Sequence, residues 1–265
     1  MKNLFLTIIT LSFIINTNAQ YLEWANSITD EGDVVAISID IDAAGNVYTT
    51  GKFEDSIDFD PGPGEHYLEA QGAVEDYFVK KSDPAGNFLW VKSIDGNDAT
   101  LDFPKNLMTV DPAGNAYLTG YFDDTVDFDP GPGVHNLIAD GLEDIFILKL
   151  DPNGDFVWAK SIVTEFDEPV VAIKADIAGN VYLTGYYEDS MDLDPGPGIF
   201  YLPDTSSFGH AVVYVLKLDA NGDFVWATHQ DGIINSETHI SHAVDDLGNV
   251  YLTGAVTDTF HFLAS

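Results

Sequence analysis

The 265-residue chain carries 44 acidic side chains against 10 basic ones, all of them lysine, for a formal net charge of −34. That balance excludes nucleic acid and anionic membrane surfaces as partners, because both need a basic face to displace counterions. Hydrophobic residues make up 45% of the chain and aromatic residues 12%, enough for a sizeable core, which must be held without disulfides because there is no cysteine.

The N-terminal stretch MKNLFLTIITLSFIINTNAQ has Lys2, an apolar run from Leu4 to Ile15, and a polar tail closing on a small residue. This predicts a secretory signal peptide over residues 1–19, cleaved after Ala19. The run is shorter than the roughly 20 apolar residues a bilayer span requires, and no later segment comes nearer. The expectation is a secreted or cell-surface protein without membrane insertion.

Residues 20–265 are periodic. DAAGNVYTTG, DPAGNAYLTG, DIAGNVYLTG and DLGNVYLTG place glycines at Gly45, Gly114, Gly179 and Gly248, a period of about 68 residues. DPAGNFLWVKSI, DPNGDFVWAKSI and DANGDFVWAT put Trp90, Trp158 and Trp226 in one slot, and YLEWANSI offers Trp24 in the same slot before the first full unit. The units run over approximately 34–95, 103–163, 169–230 and, in part, 238–265.

Within a unit the signals are for short strands. Ile37, Ile39 and Ile41 alternate with Ser38 and Asp40, and NVYLTG, DIFILKLD and DFVWAKSI are rich in β-branched and aromatic residues. Four main strands per unit are predicted, with an extra short one near His66 to Ala70 and almost no helix. Seven Asp-x-x-Gly-Asn/Asp joints, starting at Asp42, Asp83, Asp111, Asp151, Asp176, Asp219 and Asp245, read as hairpin turns. There the aspartate bonds its own turn's backbone and glycine accepts a positive φ. The fold class is all-β: a β-propeller-type repeat of four-stranded antiparallel blades, about three full and a partial fourth, hence an open or incomplete propeller. The lone Trp24 strand has the sequence of a blade's last strand, and it is available to complete the final blade.

D-x-x-G-N-V-Y-L-T-G, the later D-F-D, and F-I-L-K-L-D-P-N-G-D-F-V-W-A-K-S, with Lys81, Lys149 and Lys217 in one slot, resemble the bacterial seven-bladed β-propeller repeats (SBBP repeats) of secreted and cell-surface proteins. The resemblance covers nearly the whole mature chain. It implies a propeller in an exported protein with no established reaction. Fewer than four units, and no C-terminal sorting domain, lead us to expect a fragment of a longer chain.

The candidates for chemistry are acidic. SIDFDPGPGEHYL, TVDFDPGPGVHNL and SMDLDPGPGIFYL pair Asp58 with Asp60, Asp127 with Asp129, and Asp192 with Asp194. Hard oxygens at i and i+2 suit Ca²⁺, but the loop lacks the third acid and the bidentate glutamate of an EF-hand. Pro-Gly-Pro-Gly specifies a rigid reversal by itself, so the turn reading leads and calcium is the alternative. The DPNGD and DANGD turns share their slot with DPAGN and DIAGN, which lack the last carboxylate, so ligand duty is not expected there.

The four tryptophans read as packing between blades, and the recurring lysines as neutralising loop aspartates. His66 and His135 correspond to Phe200 and read as aromatic fillers, whereas His239 and His242 would face opposite ways on a strand, His242 in a slot held elsewhere by Ile39, Met108 and Ile173. Threefold repetition argues against catalysis, and only Glu165, Asp167 and Glu168 depart from the repeat. The functional expectation is an exported, non-catalytic binding, adhesion or surface scaffold whose partner is a protein or glycan at the cell surface. The alternatives are a calcium-stabilised structural module and a carbohydrate-active enzyme.

Overall fold

The computed structural model describes residues 24–28, 33–71, 75–95, 101–102, 107–140, 143–164, 170–187, 190–202, 211–234 and 240–254. Among them there is no helix, and the expected antiparallel sheets are present. The first unit consists of β1 (Val34–Ile41), β2 (Val47–Phe53), a small hairpin of β3 (Ser56–Asp58) and β4 (Tyr67–Glu69), then β5 (Asp76–Ser82) and β6 (Phe88–Ile94). Its sheet order is β1-β2-β5-β6, with the hairpin forming a separate two-stranded sheet.

The second unit repeats this arrangement. β7 (Leu101–Asp102) and β8 (Met108–Val110) both pair with β9 (Ala116–Phe122), followed by the hairpin β10 (Thr125–Asp127) and β11 (Asn136–Ile138), then β12 (Asp144–Leu150) and β13 (Phe156–Ile162). In the third unit β14 (Val170–Ala175), β15 (Val181–Tyr187), β16 (Ala211–Leu218) and β17 (Phe224–Ile234) form one sheet, and a single bridge between Asp192 and Tyr201 stands in for the hairpin. A fourth unit is represented by β18 (Ser241–Val244) and β19 (Val250–Thr253). No sheet closes on itself among the described residues. The Trp24–Ile28 segment is not paired into the fourth unit there; it lies against the first unit instead.

The third strands, DYFVKKS and DIFILKL, are buried at every position. Strands covered on both faces can carry near-continuous apolar runs, as DIFILKL does, whereas a one-sided sheet would alternate; DYFVKKS buries Asp76, Lys80, Lys81 and Ser82 as well. Successive sheets stack face to face: Tyr48, Tyr77, Val79 and Ile94 of the first unit share a core with Met108, Leu118, Phe146 and Leu148 of the second. Tyr117, Ile145, Ile147 and Trp158 of the second unit do the same with Ile173, Leu183 and Leu216 of the third. Each fully buried side chain of this size contributes about 1.5–3 kcal/mol by leaving water.

The small hairpin packs on its own sheet. Phe59 meets Phe78 with ring centroids 4.7 Å apart, and Phe128 meets Phe146 at the same distance. At the far end of the loop His66 lies on Phe88, His135 on Phe156 and Phe200 on Phe224, with centroids 4.7–4.8 Å apart. The two histidines therefore fill an aromatic slot.

Antiparallel order puts all the Asp-x-x-Gly turns on one rim, since each joins a first strand to a second or a third to a fourth. The opposite rim carries the connections from second to third strand and from unit to unit. Two turn glycines differ instructively. A Cβ at Gly154 (φ +78°) would lie 3.0 Å from the Trp90 ring, whereas at Gly45 (φ +82°) the nearest atom is Pro84 Cγ at 3.4 Å. Gly45→Ala should cost ~1–2 kcal/mol for the left-handed backbone alone. Gly154→Ala should cost more, because the indole must also move; urea denaturation of both variants measures the difference.

Candidate functional site

Each turn is tied by its first carboxylate. Asp42 Oδ1 accepts the backbone N–H of Ala44 at 3.0 Å and of Asn46 at 2.9 Å, and Oδ2 accepts the Asn46 side-chain amide at 2.7 Å. Asp176 and Asp245 repeat the pattern. At Asp42 burial works to raise the carboxyl pKa, but the Asn46 hydrogen bonds, Lys81 and the Ala44 N–H outweigh it and hold the group below its ordinary value. Asp83, Asp151 and Asp219 serve the other turns in the same way. The last carboxylates of DPNGD and DANGD, Asp155 and Asp223, face Lys92 and Lys160 of the preceding unit at 3.2 and 3.5 Å. These exposed pairs contribute well under about 1 kcal/mol each.

From the tied aspartate a chain of contacts runs into the next unit. The Tyr117 hydroxyl lies 3.0 Å from Asp111 Oδ2 and 3.1 Å from the Gly179 carbonyl oxygen of the following unit. Tyr48 reaches Gly114 O at 2.7 Å, and a Cβ on Gly248 would come within 2.7 Å of the Tyr182 hydroxyl. Burial first, and Asp111 next, push the Tyr117 phenol far above its ordinary pKa, so it remains a neutral donor.

Over the rings of Tyr48, Tyr117 and Tyr182 sit Lys81, Lys149 and Lys217, with Nζ 4.7, 5.1 and 4.9 Å from the centroids. Lys81 Nζ is 3.6 Å from Asp42 Oδ2, which identifies the aspartate it neutralises. The same ammonium donates to Pro152 O at 3.1 Å, and Lys149 donates to Ala220 O at 2.9 Å. Those carbonyls are shared with the indoles: Trp90 Nε1 bonds Pro152 O and Trp158 Nε1 bonds Ala220 O, both at 3.1 Å, while Trp24 bonds Pro84 O at 3.0 Å. Trp90 and Trp158 are thus packing residues and also hydrogen-bond donors between units. Gly45, Gly114, Gly179 and Gly248 occupy the first turn of each unit, and the last three receive the preceding unit's tyrosine.

The six aspartates of the acidic loops remain in three separate pairs. Asp58 Oδ1 accepts the N–H of Asp60 at 3.0 Å and of His66 at 2.7 Å, and Asp60 Oδ1 accepts Gly62 N–H at 2.8 Å. Asp127 with Asp129, and Asp192 with Asp194, repeat these bonds. Each pair closes its own loop. Among the described residues no three His, Asp or Glu side chains are grouped so as to hold a metal ion.

His242 is buried against the third unit, its Nδ1 2.5 Å from Thr184 Oγ1. In the first two units the matching threonines, Thr50 and Thr119, donate to the carbonyls of Phe78 and Phe146. Burial, and then the charge of Lys174, lower the His242 pKa to about 4. His239 and the cluster Glu165, Asp167 and Glu168 lie outside the described residues.

No family model matches the sequence. Among curated proteins the chain is similar to an uncharacterised WD repeat-containing protein of Acanthamoeba polyphaga mimivirus, 29% identical over 171 residues. The match takes in 56% of this chain and 12% of that much longer protein. Stacked four-stranded sheets and a WD-repeat relative agree. The chain is a β-propeller-type repeat protein.

Reading the sequence of this propeller located the turns, the lysines and the indoles but missed the tyrosine that joins them. Its signal was present: Tyr48, Tyr117, Tyr182 and Tyr251 each stand six residues after a turn aspartate.

Two predictions follow from this geometry. Because Lys149 and Trp158 share one carbonyl, Trp158→Phe or Lys149→Met alone leaves Ala220 O with a donor. Trp158→Phe should cost about 1 kcal/mol, Lys149→Met more because it also removes the ammonium near Asp111, and the double variant should lose more than the sum, by chemical denaturation. For His242 the folded pKa lies below the unfolded value, so the stability it confers is full above pH 6.5 and is lost as pH falls toward 4. His242→Met, which copies Met108, should flatten the stability profile across that window in denaturation curves taken from pH 7 to pH 4.

Proposed function

We propose that this protein is an exported, non-catalytic scaffold that binds a protein or glycan at the cell surface through the exposed side of its small hairpins. The observation carrying the proposal is a division of labour within the repeat. The recurring polar groups, Asp, Tyr, Lys and Trp, are engaged in tying turns and joining units. The side chains that remain exposed on the small hairpins change from unit to unit: Glu65, Val134 and Ile199 share one slot, and Tyr67, Asn136 and Tyr201 another. Invariant groups serving the scaffold and variable exposed groups serving recognition is how repeat proteins acquire a binding surface. The WD-repeat relative supports the scaffold reading. The signal-peptide pattern and the resemblance to SBBP repeats support export.

Arrays of glycans and of extracellular proteins, probed with the labelled chain, provide the test. A ligand is expected whose binding is abolished by Val134→Glu with Ile199→Glu and is unchanged by Ile39→Ser on the exposed edge strand β1. Binding and melting temperature should both be the same in chelator and in millimolar Ca²⁺, because the loop carboxylates already accept backbone N–H groups. A calcium-stabilised module would instead gain roughly 2.7 kcal/mol once Ca²⁺ reaches a hundred times its dissociation constant. Release of reducing ends from a polysaccharide would overturn the non-catalytic reading, and loss of binding through Ile39→Ser but not through the hairpin changes would overturn the choice of surface.

A further inference from the structure

We infer that the tips of the second and third hairpins dock a polypeptide whose contact surface sets apolar side chains beside lysine or arginine. The inference rests on the hairpin reading above and names the chemistry of the partner. Each tip joins an exposed aliphatic side chain to a carboxylate. Val134 and Ile199 are both 74% exposed. Directly before them stand Gly133 and Gly198, where a Cβ would fall 2.1 Å from Asp129 Oδ2 and 2.0 Å from Asp194 Oδ2. Oδ1 of each aspartate is taken, since it accepts the N–H of Gly131 or of Gly196 at 2.8 Å. Among the described residues the two Oδ2 atoms accept no hydrogen bond, which leaves them to a donor from outside.

The tips are fixed before any partner arrives. His135 and Phe200, which follow Val134 and Ile199, lie on Phe156 and Phe224 with ring centroids 4.7 and 4.8 Å apart. Their N–H groups are held by Asp127 Oδ1 and Asp192 Oδ1 at 2.7 Å. The inward side of each hairpin is part of the core between two sheets: Val126 and Phe128 belong to the one shared by the first and second units, Met191 and Leu193 to the one shared by the second and third. A surface ordered in this way loses little freedom on binding.

Charge selects the partner. Residues 54–71, 123–140 and 190–202 hold six, five and two acidic side chains and no lysine. Ion pairs among the described residues lie off the acidic loops: Lys52 with Glu75, Lys81 with Asp42, Lys92 with Asp155 and Lys160 with Asp223. In the first unit burial lowers the Lys80 pKa, and the charges of Asp60 and Asp58 work against that, so the loop there has a cation of its own. Leu148 and Leu216 hold the Lys80 slot in the second and third units. The tips divide in the same way, with Glu65 in the unit that has Lys80 and Val134 and Ile199 in the units that have leucine. An anionic surface with apolar points attracts a cationic partner at long range and holds its apolar side chains by burial at contact.

The probe is a fluorescent peptide of Lys-Leu-Gly repeats, titrated into the whole protein at about 0.15 M ionic strength and followed by anisotropy. Saturable binding is expected, about tenfold weaker for Lys-Ser-Gly repeats and absent for Glu-Leu-Gly repeats. In the protein, Val134→Ser with Ile199→Ser and, separately, Asp129→Asn with Asp194→Asn should each weaken binding about tenfold, a loss of about 1.4 kcal/mol. Asparagine keeps the oxygen that accepts the glycine N–H, so the second pair should retain the parent's circular-dichroism spectrum and melting temperature. Asp155→Asn with Asp223→Asn removes the same charge from the turns and should leave binding unchanged. No saturable binding up to ~1 mM peptide would overturn the proposal. So would equal binding of the Lys-Ser-Gly peptide, or equal losses from the hairpin and the turn asparagine pairs. The hairpin reading is tested apart: an array ligand without positive charge whose binding Val134→Glu with Ile199→Glu abolishes would leave that reading standing and overturn the partner class.

Discussion

A single carboxylate at the start of a β-turn governs this molecule. Because Asp42 and its counterparts accept two backbone N–H groups and an asparagine amide, the turn is fixed and the aspartate keeps its charge despite burial. The fixed charge then orients a tyrosine hydroxyl and attracts a lysine ammonium, and both groups have a second function in the adjacent unit. Local turn chemistry is thereby converted into long-range adhesion. The residues joined in this way stand 60–71 positions apart in the chain. Neutralising the aspartate would remove the turn's tie, leave the tyrosine hydroxyl with only the next unit's carbonyl and deprive a buried lysine of its counter-charge, which is the expensive way to break a polar network.

Most of the fold was legible because repetition supplies an internal comparison. Gly45, Gly114, Gly179 and Gly248 set the period, continuous apolar strands such as FILKL announced coverage on both faces, and the match of His66 and His135 to Phe200 exposed an aromatic slot. What stayed hidden was pairing across units. A carbonyl oxygen has no sequence signature, so nothing in DPNGD declares that Pro152 O receives both Lys81 and Trp90. The acidic loops were ambiguous for the opposite reason. Paired aspartates followed by Pro-Gly-Pro-Gly fit both a self-closed turn and a cation, and the sequence does not show that N–H groups converge on Asp58 Oδ1.

The first unit departs from the others in an informative way. On its outward sheet face Thr49, Lys80 and Ser82 stand where the second unit has Leu118, Leu148 and Leu150. Lys80 lies 6.0 Å from the Phe88 ring centroid, and the carboxylates of Asp60 and Asp58 support its charge against burial. The Trp24–Ile28 segment lies beside this unit, its indole over Gly86 and Ile28 against the cluster of Phe53, Ile57, Phe59, Phe78 and Val91.

The clasp between units has a direction: indole, ammonium and phenol all belong to the earlier unit, and the carbonyls they grip all belong to the later one. A seam of this kind is identical wherever it occurs, so copying or excising one whole unit recreates the same junction and leaves no orphaned donor. Chains of different unit number are therefore accessible to gene duplication without a compensating substitution at the joint, and array length can be altered independently of the recognition carried on the hairpins.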